Sequence, residues 1–135
     1  MPTPELRFLT DRSLGDHHVP GALRAAGWAV VSMRERYGAV SAQALADIDW
    51  IQDATAGGEV LLTGDKAIAK RPAEARTVIA AGARVFALGS NQLTGAQKAA
   101  RLLLHEAAIF RRAALEAPFI VSVGDRRLET IKLFG

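Results

Sequence analysis

The sequence has no cysteine, few aromatic residues and no long apolar run. Without cysteine there is no disulfide, no thiolate zinc site and no cysteine nucleophile, so any chemistry must use other side chains. No apolar stretch approaches the roughly 18 residues that a membrane-spanning helix needs. The first residues also lack the basic and apolar regions of a signal peptide. We therefore expect a soluble, cytoplasmic protein that does not interact with a membrane.

Several functional motifs are absent as well. The chain contains neither a G-x-x-x-x-G-K-[ST] phosphate loop nor a G-x-G-x-x-G dinucleotide fingerprint. No G-x-S-x-G nucleophile elbow occurs either. His17 and His18 have no carboxylate or third histidine at ligand spacing, which favours a solvated helix entrance over a metal site. Nucleotide-binding classes that depend on these loops, and serine hydrolases of the elbow type, are therefore not supported.

The charges are distributed unevenly along the 135 residues. Residues 1–65 contain 5 basic and 9 acidic side chains, whereas residues 66–135 contain 12 basic and 5 acidic ones. This asymmetry fits an anionic pocket in a cationic surface, and the simpler alternative is chance clustering on solvated faces. A chain of this length is the usual size of one domain, so we predict a single domain over residues 1–135.

The hydrophobic pattern alternates between strand and helix along the chain. Predicted strands cover residues 5–10, 28–33, 59–63, 83–88, 119–123 and 128–134, the last two as a closing hairpin. Predicted helices cover residues 19–26, 41–55, about 72–81 and 94–117, with a loop at 34–40. The alternation predicts an α/β fold in which helices cover both faces of a mainly parallel sheet.

Aspartates follow two of the predicted strands. Asp11 comes after the first strand and Asp65 after the third, and ligands of open parallel sheets bind beyond these carboxyl ends. The helix after the second strand adds Asp47, Asp49 and Asp53. At about 100° per residue, Asp47 lies nearest the apolar stripe, Asp49 lies on the opposite shoulder and Asp53 points to solvent. We therefore rank Asp47 first among the three and Asp49 second.

Each aspartate also has a structural interpretation. Asp65 suits the N-cap of the helical segment that follows it, and Asp11 suits the polar end of a strand. Asp47 and Asp49, taken singly, suit solvated helix positions. Together, however, carboxylates from distant segments repel one another unless a cation or protons compensate their charge. Oxygen ligands of this kind favour hard divalent ions such as Mg²⁺ or Mn²⁺.

The segments that carry these aspartates also carry the motifs of a known family. The motifs are Phe8-Leu9-Thr10-Asp11-Arg12-Ser13-Leu14-Gly15, Pro20 with Leu23-Arg24-Ala25-Ala26-Gly27-Trp28, Asp47-x-x-Trp50, Leu61-Leu62-Thr63-Gly64-Asp65-Lys66, Arg71-Pro72-x-Glu74 and Val85-Phe86-Ala87-Leu88. In this order, over about residues 6 to 120, they resemble the PIN-like domains related to VapC toxins. The resemblance implies a three-layer α/β/α, Rossmann-like PIN fold. It also implies a Mg²⁺- or Mn²⁺-dependent ribonuclease, in many members a toxin held inactive by an antitoxin protein.

The resemblance also implies roles for individual residues. The catalytic and metal-binding acids are Asp11, Asp47 and Asp65, with Thr63 beside the last of them. PIN nucleases often have a fourth acid near the end of the next strand, where this chain has Ser90 and Asn91. A four-acid site therefore requires Asp49 in that place, and Asp49, Thr63 and Asn91 are additional candidates.

The basic half of the chain supplies candidate RNA-binding residues. Arg12, Lys66, Lys70 and Arg71 lie next to the predicted acids, where they are placed to meet substrate phosphates. The predicted helix at 94–117 also aligns Lys98, Arg101, His105 and Arg112 in one stripe, for which a solvated face is an equally good interpretation. Trp28, Trp50 and Phe86 suit the core better than base stacking.

The leading interpretation is a metal-dependent endoribonuclease of the PIN type, the toxin of a toxin and antitoxin pair. Two alternatives come from other classes. One is a receiver-like phosphoacceptor domain, which also uses aspartates at strand ends but needs two adjacent acids, whereas Asp11 is followed by Arg12. The other is a catalytically silent PIN-like interaction module, which the missing fourth acid favours. The sequence leaves open whether the protein forms a homodimer.

Overall fold

The computed structural model describes residues 6–89 and 92–133. Two predicted site positions, Ser90 and Asn91, lie outside the described residues, as do the first residue of the predicted strand at 5–10 and the last residue of the one at 128–134. The prediction of one domain over residues 1–135 extends beyond these limits and stays a prediction.

A single six-stranded sheet forms the centre of the described chain. Its strands are β1 (Arg7–Thr10), β2 (Ala29–Ser32), β3 (Val60–Thr63), β4 (Arg84–Leu88), β5 (Phe119–Val123) and β6 (Leu128–Ile131). They lie in the order β2-β1-β3-β4-β5-β6. The first five strands pair in parallel, and β6 pairs with β5 in antiparallel orientation. The predicted strands and the mainly parallel sheet are thus confirmed.

Seven α-helices connect the strands within the described residues. They are α1 (His18–Ala25), α2 (Met33–Tyr37), α3 (Ala39–Ala44), α4 (Asp47–Ala56), α5 (Pro72–Ala81), α6 (Gly95–Leu104) and α7 (Glu106–Ala113). Short 3₁₀ turns follow β1 at Arg12–Leu14 and β3 at Lys66–Ala69. In the part of the chain that the structure describes, no helix is long and apolar enough to cross a membrane.

The sheet is covered on both faces. Along β1, Phe8 and Leu9 point to opposite sides because successive strand residues alternate. Phe8 belongs to a buried cluster with Leu23 of α1 and other residues of α6 and α7. Leu9 belongs to a second cluster with Trp50 of α4 and Val78 of α5. All four residues of β3 are buried, as expected for a central parallel strand. The three-layer α/β/α architecture is thus confirmed.

The loop predicted at residues 34–40 is wrong, because this segment forms most of α2 and the start of α3. A capping box begins α2. The Glu35 amide donates to Ser32 Oγ at 3.1 Å, and the Ser32 amide donates to Glu35 Oε1 at 2.8 Å. Gly38 separates the two helices with a φ of 85°, a conformation that other residues rarely adopt.

The single helix predicted at residues 41–55 is also wrong, because the chain is extended at Leu45 and Ala46, between α3 and α4. The guanidinium of Arg12 explains the break. It donates to the carbonyl oxygens of Ala42 and Leu45 at 3.3 and 3.0 Å, which a continuous helix would use for its own amides. Asp47 therefore begins a helix instead of lying within one.

The long helix predicted at residues 94–117 divides into α6 and α7 at His105. The His105 side chain is buried, and its Nε2 forms a hydrogen bond of 2.8 Å with the Gly124 carbonyl oxygen. Arg112 packs over the ring of Phe119, 4.2 Å from its centre. The predicted cationic stripe is therefore wrong, because one member is buried and another packs on the core.

Candidate active site

The sheet order brings the ends of β1 and β3 together. These strands are parallel neighbours, so the residues after Thr10 and after Thr63 lie at the same edge. The Asp11 amide donates to the Leu62 carbonyl oxygen at 3.1 Å, which extends the pairing by one residue. Asp11 and Asp65 therefore lie in the turns that follow two adjacent strands, as expected for residues beyond the carboxyl ends of parallel strands.

Asp11 is buried, and among the described residues its carboxylate accepts hydrogen bonds from neutral groups alone. One oxygen accepts from the Ser13 amide at 3.1 Å and from Ser13 Oγ, and the other accepts from Thr63 Oγ1 at 2.5 Å. Within the described residues it has no cationic partner. Burial raises the pKa of Asp11 from 3.8 to about 6. The hydrogen bonds from Ser13 and Thr63 lower the pKa by less than burial raises it, and the negative charge of Asp47 raises it further.

Two hydroxyl groups join the segments around Asp11. Thr63 Oγ1 donates to Asp11 and accepts from the Asp65 amide at 3.0 Å. Ser13 Oγ accepts from the Gly64 amide at 2.7 Å. Sequence reasoning did not identify Ser13 as a site residue. The signal was the Asp-x-Ser spacing, in which the side chain of Asp11 caps the short turn that begins at Arg12.

Asp47 is the first residue of α4, where the partial positive charge of a helix N-terminus favours an acid. The buried indole of Trp50, one turn later, donates from Nε1 to Asp47 Oδ1 at 2.9 Å. Two arginines reach the same carboxylate, with Arg12 at 3.5 Å and Arg71 at 3.3 Å. The Asp47-x-x-Trp50 motif therefore fixes the orientation of this acid.

Asp65 caps the 3₁₀ turn after β3, since its Oδ1 accepts from the Ala67 amide at 3.0 Å. The other oxygen pairs with Arg71, which thereby bridges Asp65 and Asp47 and also lies 3.5 Å from Glu74. The hydrogen bond that Arg71 donates to Asp65 raises the pKa of Arg71. The capping interpretation of Asp65 is thus confirmed, and Asp11, which was expected only as the polar end of a strand, also caps the turn that follows it.

The remaining candidate residues stand apart from this cluster. Asp49 is exposed, and within the described chain its carboxylate forms no hydrogen bond or ion pair. Asp53 is exposed and accepts from the Tyr37 hydroxyl at 2.5 Å. Burial raises the pKa of Tyr37 to about 12, and the hydrogen bond to Asp53 adds to the increase. Lys66 and Lys70 are exposed and form no ion pair in the described part of the chain.

The chemistry of the cluster fits a hard divalent cation. Its donors are carboxylate and hydroxyl oxygens, and the charge of Asp11 is not compensated. As the side chains stand, no group of three or more histidine, aspartate or glutamate residues in the described ranges is placed to hold a metal ion. Arg71 is paired with both Asp47 and Asp65 and lies between their carboxylates. A cation there would take over the charge compensation that Arg71 provides.

The chain resembles known proteins over most of its length. A family model described as a PIN like domain matches residues 6–90. A Mycobacterium tuberculosis (strain ATCC 25618 / H37Rv) protein named "Putative ribonuclease VapC45" is 40% identical over 121 residues, which are 90% of this chain and 88% of that protein. No solved structure matches the chain. On the family model, the relative and the fold together, the chain belongs to the PIN-like domain family.

Proposed function

We propose that the protein is a divalent-metal-dependent endoribonuclease that hydrolyses phosphodiester bonds of RNA. The observation that carries the proposal is that three acids from separate segments are linked at one edge of the sheet: Thr63 bonds to Asp11 and to the Asp65 amide, and Arg71 pairs with Asp65 and Asp47. The 40% identity to a protein named as a ribonuclease supports the reaction class.

In this proposal Asp11, Asp47 and Asp65 hold Mg²⁺ or Mn²⁺. Such an ion supplies a water activated for attack on phosphorus and stabilises charge on the scissile phosphate. The chain's own residues orient the ligands: Thr63 and Ser13 hold Asp11, and Trp50 holds Asp47. Arg71, once released from the acids, is placed to meet a substrate phosphate, together with Lys66 and Lys70. Arg12 is less available, because it donates to two backbone carbonyls.

The test is cleavage of single-stranded RNA with Mg²⁺, with Mn²⁺ and with EDTA. We expect cleavage with either metal and none with EDTA, and a loss of at least about 100-fold in Asp11→Asn and Asp65→Asn. Asp53→Asn is the matched control, since it changes an exposed acid of α4 outside the cluster. Undiminished cleavage by both site variants would refute the assignment of the acids.

The biological role proposed with this activity is that of a toxin in a cytoplasmic toxin and antitoxin pair. The name of the relative supports it. Co-expression with the product of a small neighbouring reading frame should relieve growth arrest, and sedimentation should show whether the free protein is a homodimer. If calorimetry shows no divalent-ion binding while a partner protein still co-purifies, the silent interaction module is favoured instead.

A further inference from the structure

A cavity lies at the same edge of the sheet as Asp11 and Asp65. It has a volume of about 450 Å³ and is lined by Lys66 and by residues of β5, β6 and the turn between them. Pockets for small organic groups have volumes of about 300–1,000 Å³, so this one has room for a nucleotide. β5 lies two strands from β3, a separation of about 10 Å along the sheet edge, and Lys66 of the turn after β3 also lines the cavity.

Lys66 lies between the acids and the cavity. It follows Asp65 directly, and its side chain crosses the end of β4, since a Cβ atom added to Gly89 would lie 3.2 Å from Lys66 Cδ. Its ammonium group therefore lies on the path from the acids to the cavity. A strand of RNA that enters the cavity from the acid cluster passes this lysine.

The floor of the cavity contains an unused polar group. Ser122 of β5 is 9% exposed and lines the cavity. Within the described residues, its side chain forms no hydrogen bond. The fully buried hydroxyls without a hydrogen bond in the described residues are those of Thr10 and Thr55, so the Ser122 hydroxyl is open to the cavity, where it can donate to or accept from a bound ligand.

The rim of the cavity combines charges of both signs. Arg126 is exposed and has no ion-pair partner in the described part of the chain, while Arg127 pairs with Glu129 at 3.0 Å. Asp125 completes the rim. Lysine and arginine bind phosphates, whereas carboxylates and hydroxyls bind ribose hydroxyls and base edges. The lining therefore suits a complete nucleotide better than a simple anion.

We propose that this cavity binds a nucleotide that flanks the cleaved bond in single-stranded RNA. Lys66 and Arg126 bind its phosphate, Ser122 bonds to the sugar or base, and the carboxylates of the rim select among bases. The inference rests on the ribonuclease function proposed above and adds a specificity site to it.

The test combines protein variants with shortened substrates. The cleaved bond is mapped in an RNA oligonucleotide, which is then shortened one nucleotide at a time from each end. We expect Arg126→Gln to lower kcat/KM by about fivefold to tenfold at low salt, and to lower the salt slope by about 0.7. The effect should vanish on the oligonucleotide that lacks the flanking nucleotide. Arg111→Gln, an exposed arginine of α7 outside the cavity, is the control.

Ser122→Ala separates the nucleotide site from a general charge effect. It should lower kcat/KM by a similar factor at low and high salt, because no charge is removed. Equal effects of Arg126→Gln on the full and shortened strands, or no effect of either variant, would overturn the proposed subsite.

An RNA-binding measurement tests the cavity independently of RNA cleavage. If the wild type cleaves no RNA with either metal, a fluorescent single-stranded RNA oligonucleotide is titrated into the wild type, Arg126→Gln and Arg111→Gln in EDTA. Weaker binding by the variant than by Arg111→Gln supports the subsite, and equal binding rejects it.

Discussion

The clustered carboxylates are stabilised in two different ways. Asp11 is buried and bonded to hydroxyl and amide groups, so its negative charge has no cation beside it within the described chain. Asp47 and Asp65 are partly exposed and share Arg71. Hydroxyl bonds fix the direction of a carboxylate, whereas an arginine supplies a charge that another cation can replace. In the proposed site, Asp11 is thus the ligand with a fixed orientation, and Arg71 is the cation that the metal replaces.

The largest expected effect concerns the buried Asp11 in the metal-free protein. As the pH rises from 4 to 6, the unfolded chain loses this proton before the folded one does, since the folded pKa is about 6. The wild type should therefore lose up to about 3 kcal/mol of unfolding free energy over this range. Asp11→Asn should lack that component, as measured by urea denaturation in EDTA. Parallel pH profiles for the two proteins would contradict the buried, uncompensated state of Asp11.

Substitution of Thr63 tests whether its hydroxyl group orients Asp11 and Asp65 as metal ligands. Thr63→Val removes the bonds to Asp11 and Asp65 with little change in volume. We expect Mn²⁺ affinity to fall by about 10-fold to 100-fold, the range for groups that orient metal ligands. Thr77→Val is the control, because its buried hydroxyl donates only to the Ala73 carbonyl oxygen. A similar loss in both variants would mean that Thr63 acts through stability alone.

Substitution of Arg71 tests whether its positive charge beside Asp47 and Asp65 can be replaced by a metal ion. Arg71→Gln removes the cation shared by Asp47 and Asp65, so the metal-free protein should lose about 1 kcal/mol of unfolding free energy. The variant should also bind Mn²⁺ several-fold more tightly, because no arginine competes with the metal. Arg76→Gln, at an exposed position of the same helix, provides the control for loss of charge. Unchanged or weaker Mn²⁺ binding by Arg71→Gln would show that the two cations do not compete.

The smallest effect is expected at Asp49. It lies two residues after Asp47 but is exposed and outside the hydrogen-bonded cluster. Asp49→Asn should change the rate of RNA cleavage by less than about twofold, as for most surface substitutions. A loss as large as that of Asp47→Asn would instead identify Asp49 as the fourth acid.

Much of the fold is predictable because strands and their ends have strong local signals. The buried runs of β1 and β3 end just before Asp11 and Asp65, which places both acids at one edge of the sheet. The break between α3 and α4 is not predictable in this way. It depends on Arg12, which is more than 30 residues away in sequence and bonds to the carbonyls of Ala42 and Leu45.

The site was predictable to a similar degree. Periodicity ranked Asp47 above Asp49 and Asp53, and the structure joins only the first of these to Asp65 through Arg71. The pairing of Arg71 with two acids was not predictable, because a basic residue near an acidic cluster suits a substrate phosphate equally well. Only the folded geometry distinguishes these roles.

The most direct test of the proposed site is a calorimetric titration of Mn²⁺ into the wild type, Asp11→Asn and Asp65→Asn at pH 7. We expect Mn²⁺ binding by the wild type and a loss of at least about 100-fold in affinity for each variant, with the affinity of Asp53→Asn unchanged. Equal Mn²⁺ affinity in all four proteins would show that these carboxylates do not hold the metal.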